Sequence, residues 1–501
     1  MKLSSLFAPA VSGLALLSGS AAFAQVTAQD VWDNWSANLG LYSTEGVTIG
    51  SEDYTGGVLT VTDVAINFAD AEGTATALLG NVTMTEQGDG TVLVTMSEEI
   101  PLTMTGPATE GTGEMTMDMT VTQAGLQMLV SGTPEAMVYD ITADSYGLLL
   151  NSLTDGAVSA TGGFVMNGVA GSYSVETTDM QALAYDLAAT SVDLSLDIDD
   201  PTQNLVLSFA GAVTDIATSA TMVTPLPENT TPETVLMDGL AGEAGYTYSS
   251  GAFTFDATQD GLPVTGTLAI GQGGVDFVAS ADGIGYSSLT EGLTIEAMSD
   301  MMPFPVQISL AQYGFDLLMP LSATDEPVDF ALGVNLTELA INEEIWAMLD
   351  PSAMLPRDPA SLIIDITGTA RLLIDLADPA QAAAAASMAA PGELHSLSLN
   401  DLTLIFGGAQ ITGTGAFTFD NADTTTIPGI PRPEGKLDLR ADGINGLIDT
   451  LVAMGLLPED QVMGARMMLG LFTVPVGDDQ LTSTIEVNAE GHVLANGQRL
   501  Q

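Results

Sequence analysis

Proton transfer or metal binding near neutral pH would fall first to histidine, and this chain has only two, His395 and His492. They stand far apart, with no pair at zinc-site spacing and no helical pair of the metalloprotease kind, so each is expected to be a solvated strand or loop residue. Cysteine is absent, which removes disulfides, thiolate nucleophiles and soft metal sites together. No Gly-x-Ser-x-Gly elbow follows the first 24 residues, and Lys436, the only lysine beyond Lys2, does not follow a Ser by three positions. The Gly-rich "GQGGVD" lacks the Lys and the strand-to-helix setting of a phosphate loop. Carboxylate is what remains: 64 Asp and Glu against 8 Lys and Arg. The run "DLSLDIDD" (Asp193–Asp200) places carboxylates on one strand face but has neither the central Gly nor the terminal Glu of a calcium loop, so a solvated face is expected. Two carboxylates brought together by folding could hydrolyse a glycoside, yet the sequence singles out no such pair. The expectation is a non-enzymatic protein with no catalytic, cofactor-binding or metal-ligating residue.

The charge balance narrows the partners. Between Leu3 and Pro356 there is no Lys or Arg, so stability in that stretch cannot rest on ion pairs. Nucleic acid is excluded as a partner because phosphate binding needs a basic surface, and anionic lipid headgroups are disfavoured on the same ground. A solubility surface, screened by counter-ions over about 10 Å, accounts for the acidity; a cation-binding or partner-facing surface is the sharper alternative. With 46% hydrophobic and only 14% charged residues, the chain is no disordered acidic tail. It must fold around a large apolar surface.

The opening "MKLSSLFAPAVSGLALLSGSAAFA" has a cationic start, an apolar run from about Leu6 to Leu17 and small residues before Gln25. That pattern predicts a secretory signal peptide cleaved after Ala24 and an exported, periplasmic protein without a transmembrane segment after cleavage. The apolar run is shorter than the roughly 20 residues of a spanning helix.

The elements that must position any site are strands. "GAFTFD" occurs at Gly251–Asp256 and again at Gly415–Asp420, with a worn relative "GEMTMD" at Gly113–Asp118. Each is followed by Ala-Asp, after 30, 26 and 30 residues for the copies starting at Gly251, Gly415 and Gly113. Such ordered self-similarity predicts about three related β-rich units. Within the hexapeptide, alternation puts Phe253 and Phe255, Phe417 and Phe419, and Met115 and Met117 on one side, with Thr and Asp on the other. These six residues are the candidate lining of an apolar groove or core. "SVDLSLDID" alternates likewise, "NVTMTEQGDGTVLVTM" reads as a hairpin, and one-sided strands belong to antiparallel sheets. Helices are expected at "DVWDNWSANLGLY", within "TELAINEEIWAMLDP", in the Ala-rich "DPAQAAAAASMAAPG", at "DGINGLIDTLVAMG" with Asp442 as N-cap and Gly455 as stop, and from Pro458 to about Leu471. The fold class is mainly β with a few helices: long curved antiparallel sheets with helices capping their ends. The expected division is a signal peptide (1–24), an N-terminal helix and β segment (25–112), and β-rich units at 113–250, 251–414 and 415–501.

The runs "INEEIWAMLDPSAMLPRDPASLIIDITGTARL" (Ile341–Leu372) and "MMLGLFTVPVGDDQLTSTIEVNAEGHVLANGQRL" (Met467–Leu500) resemble the alphaproteobacterial exported family known as domain of unknown function 2125, over nearly all of the mature chain. That resemblance implies an envelope location and supplies no catalytic residues. The texture of strand, Gly-x-Gly, strand in "ITGTGAFTFD" is similar to AsmA-type envelope proteins and implies sheets that curl into lipid-holding grooves. The functional expectation is a protein binding or shielding a lipid or another apolar ligand, with an envelope structural or assembly factor as the alternative. Few aromatics leave no girdles for a transmembrane barrel.

Overall fold

A computed structural model describes residues 25–41, 47–69, 73–108, 113–226, 229–231, 233–385, 387–388 and 390–500. The expected signal peptide lies outside them. The chain is mainly β, antiparallel throughout the pairings resolved, and divides into two compact units. Among the described residues no helix is long and apolar enough to cross a membrane.

The first unit is built mainly from residues up to Leu226 and from Glu243–Gln272. Helix α1 (Ala28–Leu41) is followed by β1 (Val47–Thr48), β2 (Ser51–Thr55), β3 (Val58–Ala69), β4 (Thr74–Glu86), β5 (Val92–Met96), β6 (Glu99–Pro107), β7 (Glu114–Ala124) and β8 (Gln127–Thr133). Then come β9 (Ala136–Asp155), β10 (Val158–Thr177), β11 (Met180–Asp200), β12 (Leu205–Pro225), β13 (Ala241–Tyr248), β14 (Ser250–Gln259) and β15 (Leu262–Ile270). Strand β4 pairs with β5 at one end and β6 at the other, β5 and β6 pair with β8 and β7, and both of these pair with β9. From β9 the sheet continues as a meander through β10, β11, β12, β14 and β15. The 21 residues of β11 or β12 span roughly 70 Å at the usual strand rise.

Strands this long cannot keep strict alternation and one apolar face without correction: the register shifts around Asn151 of β9 against both β7 and β10, and a second level is left unpaired. The ladder skips Asp144 on β9, Gly168 on β10, Thr190 on β11 and Asp215 on β12, with positive φ at Gly168 (60°) and Asp215 (50°). Gly125, between β7 and β8, and Gly80 on β4 also have positive φ. The skipped residues stand opposite one another, so the register is kept across this level, while the burial pattern of β11 changes parity at Thr190. Leu183, Tyr185, Leu187 and Ala189 therefore share a face with Val192, Leu194, Leu196 and Ile198, although odd numbers give way to even ones.

This unpaired level separates a filled core from an open face. On one side, α1 seats Val31 and Trp32 on Val61, Val82, Met84, Val94, Met137 and Tyr139, all buried. Helix α1 starts in a capping box: the Asp30 amide donates to Thr27 Oγ1 (3.2 Å) and the Thr27 amide to the Asp30 carboxylate (2.9 Å). The Ala28 amide donates to Glu86 (3.1 Å) and the Trp32 indole to Glu52 (3.0 Å), fixing the helix to the sheet. The expected spacing of Trp32 and Trp35 is realised; the side chain of Leu39 lies outside the described residues.

The second unit comes mainly from Gly273–Glu296 and Val306 onward. Its elements are β16 (Gly273–Ala279), β17 (Gly283–Ser299), β18 (Val306–Pro320), β19 (Val328–Ile341), α2 (Glu343–Leu349), β20 (Ala360–Leu372), α3 (Pro379–Ala385), β21 (Gly392–Phe406), β22 (Ala409–Asp420) and β23 (Arg432–Asp442). They end with α4 (Ile444–Ala453), α5 (Glu459–Phe472), β24 (Val474–Gly477), β25 (Gln480–Val487), β26 (Val493–Ala495) and β27 (Gln498–Arg499). Strands β18 to β23 form a meander that β25, β26 and β27 extend. "TELAINEEIWAMLDP" splits: its first part finishes β19, and only Glu343–Leu349 is helical. Beyond Leu3, cations occur only from Arg357 on; Arg357, Arg371, Arg432, Lys436, Arg440 and Arg466 each meet a carboxylate. Arg357 reaches back to Glu343, so the cation-free stretch does contribute one partner to an ion pair.

The cap expected of Asp442 on α4 is supplied from elsewhere. Asp442 is held by Arg440 at 2.7 Å, the N-cap position belongs to Gly443, and the carboxylate of Asp479 accepts from the amides of Asn445 (3.1 Å) and Gly446 (2.9 Å). Burial alone would raise the pKa of Asp479; the amide of Gly446 and the side chain and amide of Asn445 outweigh it and hold the group below the usual carboxylate value. Because the folded pKa is depressed, this stabilisation is present above the unfolded value near 4 and is lost as pH falls through the folded value. Asp479→Ala is expected to lower stability by about 1 kcal/mol at pH 7, as loss of a helix cap does. The difference from the parent should shrink in urea titrations carried out below about pH 3.

Candidate apolar binding face

Beyond the unpaired level of the first unit, cross-strand register assembles apolar side chains into rows that run across the sheet. One row is Ile100, Val121, Leu148, Phe164, Leu194, Gly211, Phe253 and Leu268, from β6, β7, β9, β10, β11, β12, β14 and β15 in turn. The next is Leu102, Met119, Leu150, Gly162, Leu196, Phe209, Phe255 and Gly266. A third passes through Met117, Leu153, Ile198, Leu207 and Val264. Apart from the buried Ile100, the members of the first two rows are half-buried. The opposite face carries Asp193, Ser195, Asp197, Asp199, Thr254 and Asp256, all exposed.

Glycines in these rows make room for rings. Gly211 faces Phe253, and a Cβ there would stand 2.3 Å from Phe253 Cδ1 and 2.3 Å from the Ala252 carbonyl oxygen. The space is taken by the stacked pair Phe209 and Phe253, with centroids 5.3 Å apart at 18°. The adjoining turn is Asp260-Gly261, both at positive φ (51° and 79°), the two-residue hairpin favoured by strand twist.

The second unit repeats the scheme. Phe330, Gly368, Leu397, Phe417, Gly435 and Val487 form one row; Leu332, Ile366, Leu399, Gly415, Leu437 and Ile485 form the next. Gly368 lies under Phe330, where a Cβ would approach the ring Cζ to 2.5 Å. Two further rows end in Gly413, Leu439 and Ser483 and in Ile411, Ala441 and Leu481. Helices α4 and α5 roof this end, leaving a cavity of about 420 Å³.

All six candidate residues are half-buried on central strands. Phe253 and Phe255 lie on β14, one strand from the β15 end of their rows, and Met115 and Met117 on β7 of the same sheet; Phe417 and Phe419 lie on β22 of the second unit. In both exact copies the first Phe faces a neighbouring Gly, Gly211 for Phe253 and Gly435 for Phe417. The Ala-Asp pairs that follow fall in unlike places: Ala143-Asp144 inside β9, Ala281-Asp282 in the turn before β17, and Ala441-Asp442 at the end of β23. Sequence reasoning missed the facing glycines, whose only signal was their position opposite an aromatic on the next strand.

Residues of catalytic type are not brought together. His395, half-buried on β21, has Nε2 3.5 Å from the Glu393 carboxylate, which Arg371 holds at 2.8 Å. The His492 amide donates to Asn488 Oδ1 (3.0 Å) in the turn before β26. Asp200 is tied into its own turn by Thr202, whose hydroxyl (2.5 Å) and amide (2.9 Å) both donate to its carboxylate, and that bonding, the hydroxyl's first, holds the carboxyl below its usual range. Among the described residues no group of three or more His, Asp or Glu could hold a metal ion.

The model of a family described as uncharacterised protein conserved in bacteria, DUF2125, matches residues 239–496, just over half of the chain. Both runs that carried the resemblance fall within this span but for the last few residues; the stretch before residue 239 lies outside it, and the match does not extend to AsmA-type proteins. No curated protein matches the chain.

Proposed function

The chain belongs to the DUF2125 family, and from that premise we propose that it is a non-enzymatic exported envelope protein, periplasmic after cleavage at Ala24, that binds a lipid or another apolar ligand on the apolar faces of its sheets. The observation that carries this reading is the half-open state of the rows in the first unit. Leu196, Phe209 and Phe255 have neighbours along the row and around them on the sheet, yet keep part of their surface in water. Contiguous apolar surface of this kind marks an interaction site in a soluble protein, and rows of Leu, Phe, Met and Val without intervening charge suit hydrocarbon.

A fluorescent fatty acid added to the delipidated protein should bind with saturation. Phe255→Asp, which puts a charge into a row, is expected to weaken binding at least tenfold, or about 1.4 kcal/mol. Thr254→Asp, on the opposite face of the same strand, should leave it unchanged. Equal binding by both variants would remove the sheet face from the reading. A second reading, an envelope assembly factor with an acidic partner-facing surface, draws on the exposed carboxylates of Asp193, Asp197 and Asp199. Crosslinking in cells that captures no partner would count against it.

A further inference from the structure

We propose, resting on the apolar-ligand reading above, that the cavity between α4–α5 and the ends of β22, β23 and β25 is the seat of the ligand's hydrocarbon tail. Its volume of about 420 Å³ falls within the range of small-molecule sites. The sheet contributes Ile411, Leu439 and Leu481, α4 contributes Ile448, and α5 contributes Met468 and Phe472.

The lining chemistry selects the occupant. The Ser483 hydroxyl donates to the Phe472 carbonyl oxygen (2.6 Å) and the Thr473 hydroxyl to that of Leu469 (2.6 Å). Thr482 donates to the Val474 carbonyl oxygen (3.5 Å), and the Arg440 guanidinium is engaged by Asp442 through two bonds of 2.7 and 2.8 Å. Each of these side-chain donors is already matched, so a polar group entering the cavity would leave its own hydration without recovering it. Water needs two to four polar partners to settle in such a space, and hydrocarbon needs none. The floor is continuous with the apolar sheet: Leu439 and Ile411 belong to the rows shared with Gly413 and Ala441. A chain lying along the sheet therefore has its end directed beneath the helices. The roof is adaptable. Helix α5 buries Val462, while Met467 and Met468 stay 69% and 56% exposed, and unbranched Met refits readily around a flexible tail.

Because the chain has no Cys, single cysteines can be labelled uniquely. Met468→Cys in the cavity, Phe255→Cys on the face of the first unit and Ser195→Cys on its polar face would each carry bimane. Stearic acid bearing a nitroxide near its methyl end is then added. Loss of more than half of the fluorescence at position 468, saturating at one fatty acid per chain and smaller when the nitroxide sits near the carboxyl, is the expected result. Quenching at 255 alone would overturn the cavity proposal and leave the wider reading standing. No quenching at either position, or equal quenching at 195, would overturn both. Leu439→Trp, which fills the cavity, should abolish quenching at 468 in the doubly substituted protein; persistence at 468 would refute the proposal. A circular dichroism spectrum equal to the parent's qualifies each variant as folded, and Ala465→Cys replaces Met468→Cys if the latter fails.

Discussion

Trp32→Ala should destabilise the first unit by about 3–5 kcal/mol, the cost of removing a buried indole from a packed core. Trp32 is 2% exposed and sits where α1 meets the sheet, among Val61, Val82, Met84 and Val94, each fully buried. The substitution also removes the indole N–H that donates to Glu52 at 3.0 Å. No disulfide backs up this contact, since the chain has no Cys. Urea unfolding followed by circular dichroism measures the loss, and Trp32→Phe should recover part of it. A loss below about 1 kcal/mol, the level of a surface substitution, would mean that α1 is not docked as described.

Gly211→Val should damage both stability and binding. The new Cβ would meet Phe253 Cδ1 and the Ala252 carbonyl oxygen at 2.3 Å each, so ring and backbone must both shift. Overpacking of this kind costs about 1–3 kcal/mol, and the stacked pair Phe209 and Phe253 would be separated. Apolar-ligand binding on the rows around β12 and β14 should fall with it. The comparison is Gly464→Ala on α5, where nothing lies within 4 Å of the added Cβ. That change should be neutral or stabilising by up to about 1 kcal/mol. Similar behaviour of the two variants would contradict the close approach of β12 and β14.

The fold class was legible because alternation survives where strands are regular. "SVDLSLDID" places Val192, Leu194, Leu196 and Ile198 on the apolar face and the aspartates on the exposed one. It fades at Thr190, where the burial pattern changes parity and period two no longer follows the strand. The same effect hid the length of β9 to β12. Helix α5 announced itself through Pro458, and α4 through the stop at Gly455, but the cap of α4 comes from Asp479, far along the chain, and local spacing pointed to Asp442 instead. The repeat "GAFTFD" named two strands whose phenylalanines lie over glycines. Those glycines belong to adjacent strands, so the pairing becomes visible only with register. The cavity under α4 and α5 brings together segments from Ile411 to Ser483, and no local pattern reports such a juxtaposition.

Four strands separate the two imidazoles along the chain, one on β21 and the other before β26, while apolar side chains from eight strands share rows. The reading stands or falls on what the protein carries. Purified from the envelope of its native cells without added lipid, extracted with organic solvent and analysed by mass spectrometry, it should release a lipid in stoichiometric amount. Protein that proves lipid-free, and that then fails to take up a fluorescent fatty acid, would contradict it.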